Sequence, residues 1–77
     1  MEFEVLKDVI VDVLKVDRSE ITVGTTFIED LGADSLDVFQ ILMELEDKLK
    51  LTFDSSEVEK VVTVGDAVDL IANTKGE

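Results

Sequence analysis

A single hydroxyl set among carboxylates is the part of this chain best equipped for chemistry: Asp30-Leu31-Gly32-Ala33-Asp34-Ser35-Leu36-Asp37. A serine oxygen becomes a catalytic nucleophile when a base stands beside it, most often histidine. The chain has no histidine and no cysteine. Ser-His-Asp and Cys-His arrangements are therefore excluded, together with disulfides and thiolate or imidazole metal ligation. The acidic runs also lack the Asp-x-Asp-x-Asp-Gly spacing of a calcium loop, so no metal site is expected. Two readings of Ser35 remain. It starts a helix, or it is the point at which another group is attached.

The elements that must position Ser35 can be read from hydrophobic spacing. Leu6, Val9, Ile10, Val13 and Leu14 recur at helical intervals and predict a helix from about Glu2 to Lys15. Val16 to Ala33 reads as a long connection broken by Gly24 and Gly32, pinned by its own Ile21, Val23, Phe27, Ile28 and Leu31. A second helix should start at Asp34 or Ser35 and run to about Leu49. Asp34 suits its N-cap, with Asp37 in the capping-box place three residues on. Val38, Ile41, Leu42, Leu45 and Leu49 form its core stripe, and Asp37, Gln40, Glu44 and Asp47 its polar face. A short helix is expected from Ser55 to about Val61, capped by Asp54 with Glu57 completing a capping box. A last helix follows Thr63, with Asp66 three residues on, and Asn73 to Glu77 reads as a fraying polar tail. The expected fold is all-α: a small helical bundle with three main helices, one short helix and a long loop between the first two. At 77 residues this is a single domain, 1–77.

Nineteen acidic residues against 7 basic ones give a net charge of −12. Such a surface opposes nucleic-acid binding, which needs cations to displace counterions from phosphate. It equally opposes docking on anionic membranes. Basic protein partners and salt-sensitive association suit it, as does plain solubility. No apolar run reaches the length of a membrane span. Met1-Glu2-Phe3-Glu4 lacks the basic start of a signal peptide, so a cytoplasmic, monomeric protein is expected.

Ser35 lies one residue after a competent cap, so its hydroxyl is not needed for capping. A phosphate there would meet free backbone N–H groups at the positive end of the helix dipole. Asp34 and Asp37 partly oppose that, so anion binding alone would not select the site. A covalent phosphodiester avoids the objection.

Phe27-Ile28-Glu29-Asp30-Leu31-Gly32-Ala33-Asp34-Ser35-Leu36-Asp37 closely resembles the attachment region of acyl carrier proteins. The resemblance covers nearly the whole chain, including Leu42-Met43-Glu44-Leu45-Glu46 and Glu59-Lys60-Val61-Val62-Thr63-Val64-Gly65-Asp66-Ala67. It implies that Ser35 is esterified with 4′-phosphopantetheine, taken from coenzyme A by a phosphopantetheinyl transferase. The arm's terminal thiol would carry growing acyl chains as thioesters, and the carrier would have no catalytic residues of its own. The resemblance further implies a partner face on the second helix, formed by Asp34, Leu36, Asp37, Gln40, Met43, Glu44 and Asp47, presented to basic patches on fatty acid synthesis enzymes. Read without the resemblance, the same carboxylates are an ordinary solvated face. It also implies an acyl pocket among Phe27, Val38, Leu42, Leu45, Val61, Ala67 and Ile71, residues that would pack in any small bundle.

The chain departs from the family pattern in two places. Gln40 stands where many members are acidic, and Glu44 where a small or acidic residue is common. Thr52-Phe53-Asp54 lacks the proline often found before the third helix. The expected function is a discrete acyl carrier of the fatty-acid type. The alternatives are a dedicated carrier for a polyketide, specialised lipid or aminoacyl pathway, and a non-covalent acidic adaptor for basic proteins.

Overall fold

The computed structural model describes residues 2–76. Four α-helices follow one another: α1 Glu2–Leu14, α2 Ser35–Leu49, α3 Ser55–Val58 and α4 Val64–Lys75. α1 packs against both α2 and α4. Leu6, Val9 and Ile10 of α1 are wholly buried; Val13 and Leu14 lie partly buried at the edge of the core. Burying each such side chain stabilises by about 1.5–3 kcal/mol. That outweighs the few tenths of a kcal/mol, roughly, that each β-branched residue loses in a helix. Ile41, Leu42 and Leu45 of α2 and Val64, Ala67, Leu70 and Ile71 of α4 complete the core with Phe27 and Phe53.

The helix starts follow the capping chemistry read from the sequence, with one correction. On α2 and α4 the capping boxes Asp34/Asp37 and Thr63/Asp66 are both closed. On α3 the expected reciprocal bond from Glu57 does not form. Asp54 instead accepts from both the N–H and the hydroxyl of Ser56, at 3.0 and 2.8 Å, which hold its carboxyl below the usual range. Glu57 lies 3.9 Å from the Lys60 ammonium.

Three helix ends also differ from expectation. α1 stops at Leu14 because Lys15 turns into the left-handed region at φ 57°. α3 ends at Val58 and not near Val61. A turn at Glu59 and Lys60 follows, and beyond it Val62 accepts from the Phe27 N–H at 3.1 Å and Thr63 bridges to Thr26. α4 continues through Asn73, Thr74 and Lys75, the start of the expected fraying tail, and ends in a left-handed Gly76. Glu77 lies outside the described residues.

Of the residues expected to pin the long connection, Ile21 and Phe27 are buried and Leu31 half-buried, whereas Val23 and Ile28 are exposed. Arg18–Glu20 forms a 3₁₀ turn, and Arg18 pairs with Glu4 and Asp8 of α1. Thr25 is buried, and its hydroxyl meets the Thr22 hydroxyl and the Glu20 carbonyl at 2.9 and 3.1 Å. The first turn of α4 would otherwise leave its N–H groups unpaired. Here Val64 N–H donates to the Thr25 carbonyl at 2.8 Å and Gly65 N–H to the Val23 carbonyl at 2.9 Å. Asp66 N–H donates to the Thr63 hydroxyl at 3.1 Å. Gly65 is glycine because a Cβ there would stand 2.7 Å from Val23 Cγ1 and 3.0 Å from the Val23 carbonyl oxygen. The Asp66 carboxylate accepts from the N–H groups of Thr63 and Val62, both at 3.0 Å. Those bonds, Thr63 foremost, hold its pKa below the ordinary range.

Candidate functional site

The loop delivers Ser35 through a compact, self-braced turn. Thr26 and Asp30 brace each other: Thr26 N–H donates to Asp30 Oδ2 at 2.9 Å, and Asp30 N–H to Thr26 Oγ1 at 3.0 Å. Gly32 takes φ +72°, a conformation that a side chain resists. Ala33 N–H then returns to the Phe27 carbonyl at 3.0 Å, and the small Ala33 side chain is buried. Phe27, 1% exposed, anchors this turn in the core.

Asp34 follows in extended conformation as the N-cap of α2. Its Oδ1 accepts from Asp37 N–H at 2.9 Å, and Asp37 Oδ2 accepts from Asp34 N–H at 3.3 Å. Ser35 occupies the first helical position and is exposed. Each of the carboxylates flanking it accepts from the other residue's backbone N–H. The bonds of the cap do not use the Ser35 hydroxyl.

The residues expected on the partner face lie along α2 and at its N-cap. Asp34, Leu36, Gln40, Met43 and Asp47 are exposed, and Asp37 and Glu44 half-buried. Leu36 is 75% exposed, unusual for a leucine on a helix that packs its other face. Gln40, Met43, Glu44 and Asp47 share one shallow cleft of ≈ 450 Å³ with Asp12 of α1 and with Lys48. Lys48 therefore adds a cation to a face that is otherwise acidic. Asp34, Leu36 and Asp37 lie one to two turns away, around Ser35.

The residues expected in an acyl pocket separate into two groups. Leu45, Ala67 and Ile71 are fully buried in the packed core. Val38 and Val61 instead line an open cleft of ≈ 340 Å³ together with Ser35, Ile28, Phe39 and Val58. Phe27 joins Val38 and Val61 in a smaller hollow of ≈ 170 Å³. Leu42 lines a further cleft of ≈ 410 Å³ with Met43, Phe53 and Val58. Phe39, half-exposed on α2, was assigned no role from the sequence. The available signal was an aromatic beside Val38 and off the helical stripe, which widens the apolar face toward α3.

The proline missing before α3 has a structural counterpart. Phe53 is buried, and its N–H donates to Glu46 Oε2 at 2.7 Å, tying the α2–α3 connection back to α2. A proline at Phe53 would delete that donor.

Comparison with known proteins places this arrangement. Residues 4–71 match the family described as the phosphopantetheine attachment site. The chain is 46% identical over 71 residues to the acyl carrier protein of Clostridium acetobutylicum, covering 92% of each chain. It is also 46% identical over 69 residues to that of Clostridium perfringens, covering 90% of this chain and 91% of the relative. A solved Mycobacterium tuberculosis structure, described as a "putative acyl carrier protein", superposes with a TM-score of 0.87 at 33% identity, covering 94% of this chain and 96% of that one. The helical bundle, the matched attachment-site region and the similarity along nearly its full length show that this chain belongs to the acyl carrier protein family, non-enzymatic carriers built around 4′-phosphopantetheine.

Proposed function

We propose that Ser35 is the residue that receives 4′-phosphopantetheine and that the loaded protein shuttles acyl chains between the enzymes of fatty acid synthesis. One observation carries the assignment. Ser35 is exposed at the first turn of α2, while the cap is supplied entirely by Asp34 and Asp37. Substituting its hydroxyl hydrogen by a bulky group therefore breaks no hydrogen bond of the cap. In the transfer, Ser35 Oγ forms a bond to phosphorus as the pyrophosphate bond of coenzyme A breaks. Adenosine bisphosphate leaves, and the serine proton passes to a base of the transferase, since the carrier has no histidine to accept it.

When bound, the arm supplies a thiol that holds acyl groups as thioesters, a group this cysteine-free chain lacks. The chain's own residues anchor and present it. Asp34 and Asp37 fix the start of α2, and Leu36, Met43 and the acidic side chains around them offer a small apolar centre within a charged rim. Such a surface suits fast and reversible docking onto basic patches. The fatty-acid role is supported by the high acidity and by the similarity to relatives named simply as acyl carrier proteins.

Intact mass spectrometry tests the attachment. After incubation with coenzyme A and a phosphopantetheinyl transferase, the wild-type protein should gain one phosphopantetheine and Ser35→Ala none. Modification of Ser35→Ala, or an unmodified wild type, would overturn the assignment.

A further inference from the structure

The apolar surface between α2 and α3 is divided in two, and the division is made by side chains. The first cleft, ≈ 340 Å³, reaches from Ser35 past Val38 to Phe39, Val58 and Glu59. The second, ≈ 410 Å³, begins at the same Phe39, Val58 and Glu59 and continues to Leu42, Met43 and Phe53. Phe39 and Val58 thus belong to both clefts and stand as the ridge between them. Phe39 is 53% exposed, so its ring projects from the helix without being fixed in the core. Both clefts are predominantly apolar at their walls, and only the first has Ser35 at its edge.

We infer that Phe39 sets the length of acyl chain this protein can shelter. The inference rests on the reading that Ser35 carries the arm. A chain tethered at Ser35 enters the first cleft, where Ile28, Val38, Val58 and Val61 take its methylenes out of water. It ends against the Phe39 ring. Methylenes beyond that point stay in solvent, because Phe39 and Val58 separate the second cleft from the first. Each sheltered methylene adds binding to the folded state alone, which raises the melting temperature. Each methylene beyond the ridge adds nothing.

The occupant is the protein's own cargo for a geometric reason: the cleft opens beside the proposed tether, so the local concentration of the attached chain far exceeds that of any free ligand. Phe39→Ala removes the ridge from the α2 side and joins the clefts. Phe39→Trp enlarges it. The half-exposed ring contributes little to the core, so both variants should fold.

The test loads wild type, Phe39→Ala and Phe39→Trp from a series of saturated acyl-coenzyme A donors, butyryl to palmitoyl, and confirms each by intact mass. Melting temperature is then compared with the same protein carrying the unacylated arm. In the wild type it should rise with chain length and then level off. In Phe39→Ala the plateau should move to longer chains by at least one member of the even-numbered series. In Phe39→Trp it should move to shorter ones. A plateau at the same length in all three proteins would overturn the role of Phe39 while leaving sheltering intact. Absence of stabilisation by any chain in any of them would overturn sheltering itself, and the role of Phe39 with it.

Discussion

Replacing Gly65 by alanine should destabilise this protein although it puts a better helix former into α4. Gly65 sits in the first turn of that helix, and its N–H donates to the Val23 carbonyl at 2.9 Å. An added Cβ would stand 2.7 Å from Val23 Cγ1 and 3.0 Å from the carbonyl oxygen. The Val23 methyl is stiff at χ1, and the oxygen is backbone, so the loop at 23–25 must move away. Overpacking of this kind costs about 1–3 kcal/mol. Weakening the hydrogen bond adds about 1 kcal/mol. Against this, alanine is favoured over glycine within a helix by up to about 1 kcal/mol. The net loss should be about 1–3 kcal/mol, or roughly 4–24 °C in melting temperature for a domain of this size. Urea unfolding of the apo protein followed by circular dichroism measures it. Gly24→Ala is the control, since no atom lies within 4 Å of the Cβ it would add. Val23→Ala should recover part of the loss in the double variant, because it removes the closest methyl. If Gly65→Ala is as stable as the wild type, the close approach of loop and helix is not what demands glycine here.

Two further outcomes follow from single residues. Asp66 is held as a carboxylate by backbone N–H groups, so its folded pKa lies below its unfolded one. Its contribution is therefore present above the unfolded value and is lost as pH falls through the lowered folded value. The stability difference between wild type and Asp66→Asn should be constant above about pH 5 and shrink below about pH 4; a difference that grows on acidification would contradict this. Lys50 caps α2 at φ 58°, a left-handed conformation that glycine adopts more readily. Lys50→Gly should raise stability by about 0.5–1 kcal/mol in the same urea titration, and a loss of stability would show that the lysine side chain does more than tolerate the turn.

What could be read from the sequence was local. The starts of α2 and α4 are each specified within four residues, by Asp34 with Asp37 and by Thr63 with Asp66, and the structure closes both boxes. The buried faces of α1 and α2 follow from spacing within one helix. What could not be read depends on pairing across distance. Val61 to Thr63 leaves the helical path because Phe27 and Thr26, far earlier in the chain, offer backbone partners. No periodicity within 55–63 announces that. The end of α4 was legible but misread: Lys75 followed by Gly76 is a helix C-terminus signal, and it competed with the polarity of Asn73 and Thr74. Around Ser35, Leu36 and Met43 are exposed; their place on an outer face came from the family resemblance and not from their spacing. The place of Phe39 between two clefts required knowing where α3 comes to rest, which short, marginal helices do not reveal from their own sequence.

The backbone bonds from Val23, Thr25 and Phe27 to Val62, Val64 and Gly65 also fix an order of events during folding. These partners are separated by about half of the chain, so closing them carries a large loop entropy and comes late. While the polypeptide is being made, α1 and the start of α2 can form from local interactions before residue 62 exists. The turn that presents Ser35 can close its own bonds by then, but the tie from Phe27 N–H to the Val62 carbonyl, which docks it on the rest of the fold, cannot form. A transferase that reads the docked turn, and not only the serine, would thereby modify finished molecules and pass over nascent or truncated ones.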